Sequence, residues 1–245
     1  MSRYLRLPWL YLVAVLITVC QGGATNAIAS VGDATTASSI LRDGKNGTAL
    51  VDSLIGHVNS LGTYKFDGAQ EALEGSKTVK ASGTFYFKPT NSMRVEVKEY
   101  GSKSGSILVK GRDGKIEAKG GARLLGMKMT LTSDSRLLRL PNGTSAVESD
   151  LASLLKRLKK QASSGYKLVS TSEPVTVDGL SKRAIVLELQ KDGTEAPVVV
   201  DRVFIDPAQK LPMQWDSFQG GKFQSRSKFQ NYQINVQLDD SQFTI

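Results

Sequence analysis

The stretch Phe85-Tyr86-Phe87-Lys88-Pro89-Thr90-Asn91-Ser92-Met93-Arg94-Val95-Glu96-Val97 alternates apolar and polar, breaks, and alternates again. Phe85 and Phe87 fall on one face, with Tyr86 and Lys88 on the other. Past the break, Met93, Val95 and Val97 share a face, opposite Arg94, Glu96 and Lys98. A period of two is the mark of a half-buried strand, so the segment predicts a hairpin with an apolar side and a wet side. The same period recurs across Thr63–Leu73 and in a second hairpin at 105–121, whose Asp113-Gly114 pair suits a tight turn. It is clearest where Met127, Met129 and Leu131 alternate with Lys128, Thr130 and Thr132.

Two segments switch to helical spacing. Leu50, Val51, Leu54, Ile55, Val58 and Leu61 recur every three or four residues, and Gly62 closes that helix. A second helix is predicted from about Ser145 to Ser163, with Ser145 and Glu148 as a capping box. Its stripe is Val147, Leu151, Leu154, Leu155 and Leu158, and Lys156, Arg157, Lys159 and Lys160 crowd its end, where the helix dipole favours cations. Beyond Gly165 the strand pattern resumes to the C-terminus, with a hairpin at Gly220-Gly221 that places Met213 and Trp215 on apolar positions. The prediction is a mainly β, single-domain fold of about ten or eleven strands with two helices. Short connections make the neighbours antiparallel.

The N-terminus changes the picture of where this domain works. Arg3 and Arg6 precede an apolar run from Leu7 to Val19, and Ala27-Ile28-Ala29 is a small-x-small cleavage site. Residues 1–29 therefore read as a signal peptide, 30–46 as a flexible lead-in and 47–245 as the domain. Cys20 offers an alternative, acylation as a lipid anchor, but Val19 before it is large for that signal. Cleavage after Ala29 removes the only cysteine and, with it, thiolate chemistry. It also removes Arg3 and Arg6 and no acid, so the basic residues fall from 32 to 30 against 23 acids, and the charge from +9 to +7. An exported basic protein either meets anionic lipid headgroups or acidic glycans, or carries no more than an ordinary charge excess; nucleic acid is not the expected partner.

Candidate chemistry is sparse. The single histidine, His57, lies on the edge of a packing helix, and Ser153 with Lys156 matches a common helical spacing. Asp239 and Asp240 are adjacent carboxylates in a turn, and no metal set or cofactor motif is present. A carboxylate pair that meets only in space stays open as a hydrolase alternative. What stands out is an apolar face rich in Phe and Met, residues that suit either a core or an adaptable apolar ligand surface.

Taken together, the exported N-terminus, the first helix, the segments GTFYFKPTNSMRVEV and ILVKGRDGKIEAKGG, and the tail VFIDPAQKLPMQWDSFQGGKF…FQNYQINVQLDDSQFTI resemble the LolA-like superfamily of periplasmic lipoprotein carriers. The resemblance spans residues 47–245 and implies an incomplete antiparallel β-barrel whose open side is covered by the helices as a lid. It implies a monomer that binds acyl chains of lipids or lipoproteins in the periplasm, without a cofactor, with transient contact to anionic membrane. Phe85, Phe87, Met93, Val95, Met127, Met129, Met213 and Trp215 would form the apolar wall. Leu151, Leu154, Leu155 and Leu158 would form the lid, and Lys156, Arg157, Lys159 and Lys160 a docking patch. Carriers of this group hold the lid with an Arg-Pro pair, which falls here on Lys88-Pro89; lysine keeps the charge without the forked donor geometry. Other members act as envelope-stress sensors, so a non-enzymatic regulator that binds a protein partner is the alternative.

Overall fold

The computed structural model describes residue 41 and residues 44–89, 91–193 and 196–245. The expected leader, Cys20 and the cleavage point after Ala29 lie outside the described residues. No helix among the described residues is long and apolar enough to cross a membrane.

Twelve strands form one antiparallel sheet. In chain order they are β1 (Lys45–Asn46), β2 (Tyr64–Glu74), β3 (Lys77–Lys88), β4 (Ser92–Glu99), β5 (Ile107–Lys110), β6 (Ile116–Lys119), β7 (Lys128–Leu131), β8 (Lys167–Ser170), β9 (Ile185–Lys191), β10 (Val198–Asp206), β11 (Leu211–Gln219) and β12 (Lys222–Ile234). Their spatial order is β1-β8-β9-β10-β11-β12-β2-β3-β4-β5-β6-β7, so the sheet does not close into a barrel. Two meanders, β2 to β7 and β8 to β12, are joined where β12 pairs with β2, Ser225 opposite Ala72 and Ile234 opposite Tyr64. The strand not read from the sequence is β1, two residues at the end of the expected lead-in.

The first hairpin has the predicted faces: Phe85 stands opposite Val95 and Phe87 opposite Met93. Helix α1 (Thr48–Ser60) follows its predicted stripe, burying Val51, Leu54 and Val58. Helix α2 starts later than expected, at Leu151, and runs to Ala162. The capping box at Ser145 and Glu148 does not form; those residues flank and close a short 3₁₀ turn, and the Ser145 hydroxyl is buried without a hydrogen-bond partner. Asp150 caps α2 instead, its carboxylate accepting from the Ser153 N–H at 2.9 Å. An ionised oxygen at that position also faces the positive end of the helix dipole. The Tyr64 hydroxyl accepts from the Leu151 N–H at 3.2 Å, fixing the same end of the helix to β2.

Both helices lie on one half of the concave face. Leu54, Leu151, Leu155 and Leu158 pack there on Leu187, Leu189, Val203 and Ile205. The other half has a different cover. Residues 132–149, with 3₁₀ turns at Arg136–Leu138 and Ala146–Glu148, bury Leu138, Ala146 and Val147 against Met93, Val95, Leu108 and Ile116. On the convex face the C-terminal segment buries Leu238 and Phe243 against Val109.

One polar cluster staples the meeting point of the two meanders. Asp67 of β2 accepts from Asn231 of β12 at 2.9 Å, Lys98 of β4 at 2.8 Å and Thr84 of β3 at 2.7 Å. These bonds, with Asn231 first, hold the Asp67 carboxyl down at about 2, against 3.8 ordinarily. A depressed carboxyl stabilises the fold fully above its unfolded value, and that stability fades as pH falls from about 4 to about 2. Since the side chain is 34% exposed, solvent screening reduces the contribution to about 1 kcal/mol. Asp67→Asn should therefore lower the urea midpoint at pH 7 and lose its effect at pH 2.

Candidate functional site

The concave face carries an aromatic row on β2, β3 and β12. Phe66 stacks on Phe85 with centroids 5.1 Å apart, and meets Phe229 at 5.6 Å and Tyr232 at 5.4 Å. Beyond this row the side chains vanish. Gly68 pairs with Gly83 and Gln70 with Ala81, each continuing the face of Phe66 or Phe85. A Cβ on Gly83 would lie 2.5 Å from the Glu96 carbonyl oxygen, and one on Gly68 2.8 Å from the Phe85 ring. These two glycines admit close packing of β4 and of the Phe85 ring.

Above this floor lies a cleft open to solvent at its mouth, roofed by Leu140, Asn142, Thr144, Ser149 and Leu154. A second cleft adjoins it, between Leu108, Ala118, Met129 and Leu131 below and Leu137, Leu138 and Ala146 above. Val95, Val97, Tyr100 and Leu140 line both, so the two are compartments of one apolar groove. Its roof is tied down by polar bonds at the rim. Gln70 Oε1 accepts from the Asn142 N–H at 3.3 Å, and Arg157 donates to the Thr144 hydroxyl at 2.9 Å. Lys103 donates to the carbonyls of Leu137 and Arg139, both at 3.3 Å.

The residues expected to form the wall are divided by the structure. Phe85, Val95 and Met129 line the groove. Met93 is buried beneath the roof, and Phe87 stacks on Tyr64 at 4.8 Å. Met127 does not join them; it is 56% exposed. Trp215 packs under the helices, its indole N–H donating to the buried Asp201 carboxylate at 2.8 Å. Met213 is a correction of face. Ile205 pairs with Pro212 but Phe204 with Gln214, so a β-bulge absorbs Met213 and turns it to the convex side, against Phe204 and Val186.

The expected lid also changes. Leu151, Leu155 and Leu158 are fully buried in the helix–sheet core, and of the four leucines Leu154 reaches the groove. Lys88 binds the C-terminal segment rather than a helix, donating to the Leu238 carbonyl at 3.0 Å and to Asp240 at 2.5 Å. In the expected docking patch, Lys159 pairs with Asp52 of α1 at 2.5 Å and Arg157 leans over the Trp215 ring at 5.9 Å. Lys156 and Lys160 are exposed. His57 Nε2 lies 3.0 Å from the Gln209 carbonyl oxygen, a tie between α1 and the β10–β11 turn. Asp239 caps the last 3₁₀ turn.

Sequence reasoning missed Gly68, Gly83, Ala81, Tyr100 and the whole roof. The glycines and alanine were visible as gaps in the apolar phases of β2 and β3, but a gap carries no hydrophobic signal. Met129 supplies a check on the groove. Met129→Lys should weaken binding of an apolar ligand at least tenfold, because a charge would enter an apolar wall, with little change in melting temperature for a half-buried position. Lys128→Met, on the opposite face, should leave both unchanged.

An open antiparallel sheet with helices over half of its concave face is the LolA-like arrangement that the sequence resemblance implies. No protein-family model matches this chain, and no curated protein matches it by sequence. Solved structures similar to it include the LolA superfamily protein NE2245 from Nitrosomonas europaea, 10% identical, with a TM-score of 0.37 over 82% of this chain and 98% of that one. The lipoprotein LppX from Mycobacterium tuberculosis is 13% identical, with a TM-score of 0.42 over 78% of this chain and 97% of that one. The Pseudomonas aeruginosa MucA/MucB complex gives 13% identity and a TM-score of 0.45, over 81% of this chain and 60% of that one. The likeness at these values is one of general chain path, and the functional reading rests on the groove.

Proposed function

We propose that this is an exported envelope protein that binds the acyl chains of a lipid or lipoprotein in the groove between the sheet and residues 132–149. One observation carries the reading: apolar side chains of the strands and of residues 132–149 line a groove that stays open between sheet and roof, so space is left where a core would be filled. Protein interiors are otherwise close-packed. Burying a chain of about a dozen CH₂ groups yields roughly 10 kcal/mol gross, at about 0.8 kcal/mol each. Ordering the chain and admitting it past the roof reduce that to a net affinity in the micromolar range.

Of the residues weighed for catalysis, His57 lies against the Gln209 carbonyl, Asp239 caps the last 3₁₀ turn and Asp240 pairs with Lys88. Binding and carriage, rather than turnover, fit such a site. The test is a fluorescence titration with a labelled fatty acid, beside lipid extraction from protein isolated from its own envelope. Saturable binding and a co-purifying lipid are expected. Absence of both would leave an envelope regulator with a protein partner as the better account.

A further inference from the structure

Three lysines line the apolar groove, Lys228 in the first compartment and Lys103 and Lys119 in the second, and of these Lys103 is the half-buried one. Lys103 lines the second compartment, and its Nζ lies 4.5 Å from the centroid of the Tyr100 ring, which faces both compartments. Its hydrogen bonds go to two backbone carbonyls, each at the long distance of 3.3 Å, and its third donor has no protein acceptor among the described residues. No carboxylate lies within ion-pair distance of it among the described residues. Burial pushes the amine below the usual lysine range, with Glu74 acting from farther off to raise it. A half-buried cation whose nearest acting carboxylate, Glu74, lies beyond ion-pair distance is an attractor for an anion. Arg139 lines the same compartment and donates to the Gly143 carbonyl at 3.1 Å.

Resting on the acyl-chain reading above, we propose that the groove selects lipids with an anionic headgroup, a carboxylate or phosphate held by Lys103 while the chain lies along the apolar floor. Tyr100 would then mark the border between the chain and the headgroup. Its ring bounds both compartments, and its hydroxyl donates to the Arg139 carbonyl at 3.4 Å.

The experiment displaces a labelled fatty acid from the mature protein with dodecanoic acid, dodecanol, dodecyl phosphate and inorganic phosphate at pH 7.5 and low salt. The wild type should prefer the acid and the alkyl phosphate over the alcohol by about tenfold, the scale of one charge-assisted hydrogen bond. Lys103→Met should abolish that preference, read as the ratio of acid to alcohol affinity so that any loosening of the roof bears on both alike, and Lys103→Arg should restore most of it. Equal binding of acid and alcohol by the wild type, or an unchanged preference in Lys103→Met, would overturn the assignment. Displacement by inorganic phosphate as effective as by dodecyl phosphate would also overturn it, marking a site for free anions. If none of the alkyl ligands binds, it is the acyl-chain reading itself that fails.

Discussion

Leu155→Asp should abolish the cooperative unfolding transition at 25 °C. Leu155 is fully buried at the centre of the contact between α2 and the sheet. Truncating such a leucine alone costs about 2–5 kcal/mol. An unpaired carboxylate in the same place adds several more, which together reach the roughly 5–15 kcal/mol that holds a domain folded. The next residue provides the control. Lys156 is exposed on the far side of the helix, so Lys156→Asp should move the urea midpoint by no more than about 0.5 kcal/mol. Equal behaviour of the two variants in circular dichroism melts would show that α2 does not pack by this face.

Ala81→Phe should leave the protein folded and close the groove. Ala81 follows Gly83 on the floor face of β3, opposite Gln70, where the aromatic row has ended. A phenylalanine there would extend that row into space the wild type leaves empty. Overpacking a filled core costs about 1–3 kcal/mol, and a side chain that enters a cleft meets less resistance. Acyl-chain affinity should fall on the order of a hundredfold, which is about 2.8 kcal/mol. A folded Ala81→Phe protein with undiminished affinity would place the ligand elsewhere.

The contrast between these two positions shows what the sequence disclosed. Leu155 belongs to a stripe with helical period, and Met93, Val95 and Phe85 to strands with period two, so their faces were legible before any coordinates. Met213 was misplaced because a bulge shifts the phase by one residue, and alternation has no mark for the extra residue. The start of α2 was placed too early because Ser145 with Glu148 has the spacing of a capping box, whereas Asp150 makes the cap. The groove was hidden for a different reason. Its floor runs over Gly68, Gly83 and Ala81, which carry no hydrophobic signal, and its roof, residues 132–149, has no regular period. The pairing of β12 with β2 joins segments far apart in the chain, and neither strand alone names its partner.

That pairing also sets an order of events during synthesis. Residues 64–74 emerge from the ribosome well before residues 222–234, which supply their outer neighbour. At about 5–20 residues per second the interval is on the order of ten seconds. Throughout it, β2 offers an open edge of unpaired amides, the kind of template on which chains aggregate. A nascent chain ending before Lys222 could form its two meanders only as separate pieces, with no strand to join them. Completion of the fold therefore waits on the C-terminus.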